Sequence, residues 1–223
     1  MISPTAQAET LETEISSLRE SWSLDEHPFM QRWFSGGLAA AELQVFAAEH
    51  YHALFALQHA GRRATALSDG LLAEELTRYA DDQECAIELW CEFAVDTGWG
   101  RSAWYFAADP LPETAACASA WSGDDRSLTL HLVTIYAAES ALCELAPRQR
   151  KALTARYGFD DDSTSYFRFV ADRSAEAALT AKAALTSLLP LASTSALVDH
   201  AELIYRSYSD LLRGVQMLAE DRL

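Results

Sequence analysis

The chain has 223 residues and a mass of 24.6 kDa; half of its residues are apolar and 22% are charged, enough chain and enough apolar surface for one domain with a sizeable core. Lys and Arg number 17 against 33 Asp and Glu, a formal charge of −16 with a pI near 4.6. A chain this acidic repels phosphate backbones and anionic headgroups, which excludes nucleic acid and membrane surfaces as expected partners.

Gly and Pro are sparse, nine and six residues, and the stretches between them have the Ala/Leu/Glu/Arg-rich composition of helices. The first helix is expected from about Thr5 to Trp22. A short one follows His27-Pro28, with Pro28 in its first turn, and stops at Gly36-Gly37. The next runs from about Ala39 to Leu67, where Leu43, Phe46, Leu54 and Leu57 recur at helical spacing. After the Ser68-Asp69-Gly70 turn, a helix from about Leu71 to Asp96 ends at Thr97-Gly98-Trp99-Gly100. Residues 101–112 read as a loop, followed by a short helix ending at Ser122-Gly123-Asp124-Asp125. The most apolar stretch, Arg126 to Ala146, is bounded by Pro147, and a brief helix then spans Arg148 to Tyr157 before Gly158. Asp161-Asp162-Ser163 can cap a helix running to Leu189-Pro190, and Ser193 to about Glu220 forms the last.

No alternating run or hairpin signal reads as a strand. The expectation is a single all-α domain over residues 1–223, a bundle of roughly seven to nine helices, with residues 1–24 as a peripheral N-terminal helix. No apolar run reaches the ~20 residues of a spanning helix, and the N-terminus lacks the basic and apolar regions of a secretion signal. The four cysteines, Cys85, Cys91, Cys117 and Cys143, form no CxxC pair and show no zinc spacing. They are expected as reduced thiols in a cytoplasmic protein.

Several motifs stand in a common order. His27-Pro28-Phe29-Met30-Gln31-Arg32-Trp33-Phe34-Ser35-Gly36-Gly37-Leu38 resembles the opening of the heme-oxygenase-like helical families, which include thiaminase II (TenA), the PqqC oxidase and the non-heme di-iron oxidases. Glu49-His50-Tyr51-His52, Ile87-Glu88-Leu89-Trp90-Cys91-Glu92-Phe93-Ala94, Tyr136-Ala137-Ala138-Glu139-Ser140, Arg156-Tyr157-Gly158-Phe159 and Tyr166-Phe167 are similar to the later motifs of those families. The resemblance covers about residues 25 to 215 and implies a heme-oxygenase-like bundle. Such a bundle hosts unrelated chemistries, so fold alone does not assign function.

Di-iron members carry metal ligands in two places: a carboxylate and His before the "ELW" motif, and a His-x-x-x-Asp-x-x-His run after "YF". Residues at i, i+4 and i+7 share a helix face and can offer three ligands inward. Carried over to this chain, the first pair falls on Asp82 and Ala86, the second run on Val170, Ser174 and Ala177. Iron takes carboxylate and imidazole together, and these residues supply no imidazole. The resemblance therefore implies a member without metal. If iron were held, Asp82, Glu139, Asp172 and Glu176 would be its ligands. Against that, Arg168-Asp172-Glu176 reads as one mixed-charge solvated stripe, and Glu84 and Glu88 as surface residues.

Glu139 lies in the most apolar helix, where a carboxylate is costly unless paired. Burial would raise its pKa into a range useful for acid/base work, with Tyr136, one turn earlier, able to bond it. The alternative is a core glutamate left over from a metal site. His50 stands where TenA-like proteins carry a substrate-binding Asp. His50 and His52 are candidate proton carriers, with a surface or supporting role as the alternative, and the same holds more weakly for His59. Cys143, four after Glu139, is more readily a small core residue than a nucleophile. Glu139, His50, His52 and Tyr136 are thus the expected catalytic groups, and Tyr51, Asp82, Trp90, Val170 and Ser174 the expected substrate contacts.

The leading expectation is a small-molecule biosynthetic enzyme, oxidase- or oxygenase-like in the manner of PqqC, working in a central pocket without cofactor. A pseudoenzyme that binds a ligand or a partner subunit is the second reading, and an oxygenase with unorthodox metal ligands the third. A heme protein using His27 or His50 is more remote. A homodimer is expected from the resemblance and from the apolar helical surfaces.

Overall fold

The computed structural model describes residues 4–99, 109–123, 126–189 and 193–220. The expected loop at 101–108, Trp104, the Asp124-Asp125 turn and Pro190 lie outside them. Eight α-helices occur among the described residues: α1 (Pro4–Ser21), α2 (Pro28–Ser35), α3 (Ala40–Ala66), α4 (Gly70–Asp96), α5 (Pro112–Ser122), α6 (Leu128–Ala152), α7 (Ser165–Leu188) and α8 (Thr194–Glu220). No strand occurs among those residues.

Each helix boundary has a local cause. The His27 imidazole Nδ1 accepts from the Phe29 amide at 3.2 Å and caps α2, while Gly36 ends it in the left-handed conformation at φ 80°. Glu42, buried at the start of α3, accepts the Ala39 amide at 2.9 Å and both Arg32 terminal nitrogens at 2.7 Å. One carboxylate thereby caps α3 and ties α2 to it. The Tyr157 hydroxyl accepts from the Leu38 amide at 3.2 Å and donates to the Trp33 carbonyl at 3.0 Å, which fastens the end of α6 to the same corner.

One boundary differs from the sequence reading. α6 does not stop at Pro147 but continues to Ala152 and passes into a π-helical turn, Leu153–Tyr157. Pro147 removes one backbone hydrogen bond, to the Cys143 carbonyl four residues back. Pro147 is exposed, so that carbonyl lies on the helix side that water reaches.

α6 is the central helix, packed most extensively on α7, while α3 pairs with α4 and α5 with α8. The helical stretch Leu128–Tyr157 is 30 residues long and contains an 18-residue window of mean hydropathy 1.2, long and apolar enough to cross a membrane by length and composition. That corrects the expectation that no such run exists. Its composition has a local reason: 61% of the window is buried inside the bundle. α1 docks on α8, α6 and α7 through Leu11 and Ile15, both buried in the common core.

Candidate functional site

The centre of the bundle is a packed aromatic cluster from α2, α3, α4 and α7. The Phe46 and Trp33 rings meet edge-on at 5.1 Å, Trp90 and Tyr166 at 4.6 Å, and Phe93 and Phe167 at 5.0 Å. Trp90 is fully buried and its indole N–H donates to the Ala47 carbonyl at 2.7 Å, which fixes α4 against α3. Trp90 is therefore a wall of the core.

His50 enters this cluster from α3. Its imidazole stacks on Phe46 at 5.2 Å and meets Trp90 edge-on at 4.6 Å. Nε2 lies 3.1 Å from the Tyr166 hydroxyl and Nδ1 lies 3.0 Å from the Tyr208 hydroxyl. A neutral imidazole has one N–H and one lone pair, so one phenol donates to it and the other accepts. Burial pushes the His50 pKa down to about 3, which keeps the ring neutral at any physiological pH. A void bordered by Tyr208, Trp121 and Tyr205 holds about 10 Å³, room for one water at most.

Glu139 forms a second polar knot, reached from α6. It is 1% exposed. The Tyr79 hydroxyl and the Gln83 amide nitrogen both donate to its Oε1 at 2.8 Å, and the Ser174 hydroxyl bonds the carboxylate as well. Burial raises its pKa to about 7, the three donors hold it down, and the charge of Asp82 adds to the rise. Glu139 is thus an interior acid that half-ionises near neutrality.

The structure brings together Glu139, Ser174, Val170 and Ala86 in the interior, with His50 and Trp90 in the adjoining cluster. The Glu139 bond expected from Tyr136 is made by Tyr79 of α4 instead. Tyr136 is half-buried on another side of α6 and floors a groove beside α1. Asp82 is half-buried and lines a shallow cleft between α4 and α7, and its place on the inward face is taken by Tyr79 and Gln83, seven and three residues before Ala86. His52 and Tyr51 turn to the other side of α3 from His50. Their rings meet at 5.8 Å and Tyr51 stacks with exposed Phe55 at 6.3 Å. His59 is half-buried. Asp172 and Glu176 are exposed, Glu176 within 3.7 Å of Arg173, and exposed Glu84 pairs with Arg62 at 3.1 Å. The Cys143 thiol donates to the Ser140 carbonyl at 3.3 Å, and burial together with the nearby Glu144 and Glu139 raises its pKa, the opposite of an activated nucleophile. All four cysteines are free thiols.

Sequence reasoning passed over Tyr79, Gln83, Tyr208 and Gly61. Helical spacing from Ala86 puts Tyr79 and Gln83 on its face and was a usable signal. The meeting of Tyr208 with His50, 158 residues apart in sequence, has no local signature. Gly61 has a steric one visible only in three dimensions: a Cβ there would lie 2.9 Å from two Tyr79 ring carbons. The missing side chain lets the Tyr79 ring lie against α3 and reach Glu139.

Iron in this fold requires imidazole and carboxylate donors facing one point. Ala86, Val170 and Ser174 do face inward, in accord with the register taken from the motifs, but they bring two hydrocarbons and a hydroxyl. The groups around Glu139 are a phenol, an amide and a hydroxyl that spend their hydrogens on its carboxylate. Both nitrogens of the His50 imidazole are held by phenols. These residues do not fit an iron centre. Nor do they fit a heme ligand, since His50 is locked and His27 caps a helix.

The arrangement of helices is that of known proteins. A TenA homolog from Pseudomonas syringae pv. tomato superposes with a TM-score of 0.76 over 97% of this chain and 96% of its own, at 14% identity. A domain of unknown function with a heme oxygenase-like fold from Shewanella denitrificans gives 0.70 over 99% and 94%, at 16% identity. A TenA homologue from P. horikoshii gives 0.67 over 95% and 97%, at 14% identity. No family model matches the chain, and no curated protein matches it in sequence. The fold is therefore heme-oxygenase-like, shared with TenA homologues; at such identities the likeness establishes the fold and leaves activity open.

Proposed function

We propose that this chain is a metal-free small-molecule binding protein of the TenA-like fold whose interior does no chemistry. The observation that carries this reading is the state of the two interior titratable groups. His50 has both ring nitrogens engaged by Tyr166 and Tyr208, and Glu139 is enclosed by Tyr79, Gln83 and Ser174. An acid or base must come within hydrogen-bond reach of the proton it moves, and on both groups those positions are occupied by protein side chains. Concavities large enough for a ligand lie on the outside of the bundle. A reduced, cytoplasmic setting and a homodimer belong to the same reading; the exposed Phe55, stacked on Tyr51, is the apolar surface that favours self-association.

One observation favours a second reading, an acid/base enzyme working at the α4–α7 cleft. That cleft holds about 130 Å³, and its wall includes Tyr79, whose hydroxyl leads to the Glu139 carboxyl. Glu139→Gln separates the two. The amide oxygen can still accept from Tyr79 and Gln83, so the fold is expected to survive. In a binding protein the change is neutral or stabilising at pH 8, because a buried charge disappears, and ligand affinity is unchanged. In an enzyme, turnover falls ~10²–10⁴-fold, the usual worth of a positioned acid or base.

A further inference from the structure

A concavity among the described residues lies on the outside of the bundle, on the Tyr136 side of α6 and apart from Glu139 and His50. It is a groove of about 320 Å³ between the first half of α1 and the last turns of α7, with α6 beneath it. Leu11, Leu185 and Leu189 supply its apolar walls, each buried in the core behind. The half-buried ring of Tyr136 is its floor. Three charged residues stand along it: Glu9, Glu12 and Lys182. Lys182 Nζ is paired with Glu12 Oε1, so the two cancel and Glu9 is left as the uncompensated charge. The next cation along α1, Arg19, is occupied by Glu144 at 3.1 Å. The groove is therefore apolar inside and negative at its mouth, on a chain whose overall charge of −16 adds to the same field.

We infer that the α1–α7 groove is a binding site for a small amphiphilic amine, an apolar body carrying one ammonium group. The size class follows from the volume of about 320 Å³, at the lower end of small-molecule sites. The charge follows from the carboxylates at the mouth. An anionic amphiphile would meet Glu9 and would have to take Lys182 from Glu12. The inference rests on the reading above only in that it locates the small molecule that reading calls for. The Glu139 test described there does not bear on the groove.

Titration of the full chain with decylammonium, decan-1-ol and decanoate, each below its micelle concentration, tests this by calorimetry. The expected result is one decylammonium per chain, bound at least tenfold more tightly than decan-1-ol, with decanoate weakest. The double substitution Glu9→Gln and Glu12→Gln is expected to bring decylammonium down to the affinity of decan-1-ol while changing the net charge only from −16 to −14. Lys182→Met is expected to tighten the amine, since it removes a competing cation. Thr186→Trp, an exposed position on the α7 side of the groove, is expected to block all three probes. Equal affinity for the amine and the alcohol would overturn the inference. So would an amine preference that survives the double substitution, binding indifferent to Thr186→Trp, or no binding at all.

Discussion

At Glu139 the protein keeps an acid whose proton is released near neutrality, and the sign of its effect on stability is fixed by that. Its folded pKa of about 7 stands above the ordinary 4.5, so the folded chain holds a proton that the unfolded chain gives up. Stability from this group is full below pH 4.5 and falls as pH rises through 7, by about 3 kcal/mol in all. His50 works the other way. Its pKa of about 3 against an ordinary 6.5 means that the unfolded chain takes a proton the folded chain refuses, so stability is lost as pH falls below 6.5. His200 acts in the same direction, lowered to about 4 first by burial and then by the charges of Arg126 and His131. Denaturant unfolding across pH should therefore show a maximum between about pH 6 and 7. Glu139→Gln should remove the fall just above that maximum and steepen the rise below it, because the Glu139 effect acts between pH 4.5 and 7. His50→Phe should cost about 2–4 kcal/mol at pH 7, because the buried Tyr166 and Tyr208 hydroxyls each lose their imidazole partner. Gly61→Ala raises intrinsic helix propensity by about 1 kcal/mol, yet it should lower the melting temperature, since the new methyl displaces Tyr79 from Glu139. A melting temperature at or above wild type for Gly61→Ala would show that Tyr79 does not need that close approach.

Helices were the most legible level of this molecule. Long Ala/Leu/Glu-rich runs, the Pro28 start and the Gly36 stop are local signals, and the helices lie where those signals put them. The failure at Pro147 is instructive. Proline in a helix is a local penalty, and here the tertiary contacts of α6 with α7, α3 and α8 override it. Caps that depend on other elements were equally invisible. Glu42 has no local sequence signal of burial, and only the arrival of Arg32 from α2 makes it a buried clasp. Glu42→Ala should accordingly cost about 2–4 kcal/mol in chemical denaturation, because it strips a charged partner from Arg32 and the acceptor from the Ala39 amide. Arg62→Ala, at the exposed pair with Glu84, should cost less than about 0.5 kcal/mol. Similar losses at both positions would mean that the Glu42 clasp contributes no more than a surface ion pair.

For the whole molecule, the motif resemblance carried the fold correctly and the site only in part. It put Ala86, Val170, Ser174 and Ala177 on inward faces; the first three are buried, while Ala177 is half-buried and lines the outer α4–α7 cleft. It could not say what fills the space between them, because packing of Tyr79, Gln83, Tyr166 and Tyr208 depends on four helices meeting. Assembly is open to direct measurement. Sedimentation at micromolar concentration and moderate salt should give twice the 24.6 kDa chain mass, with weaker association at low salt through self-repulsion. A single species of chain mass under both conditions would oppose the dimer. The central claim is that the Glu139 carboxyl is held by the protein donors Tyr79, Gln83 and Ser174 and does not serve as a metal ligand. Anaerobic titration of the purified chain with ferrous iron, with bound metal counted after desalting, tests it most directly. The account predicts no retained iron at any ratio; retention near two irons per chain would contradict it and would make Asp82, Glu139, Asp172, Glu176 and His52 the ligands to examine.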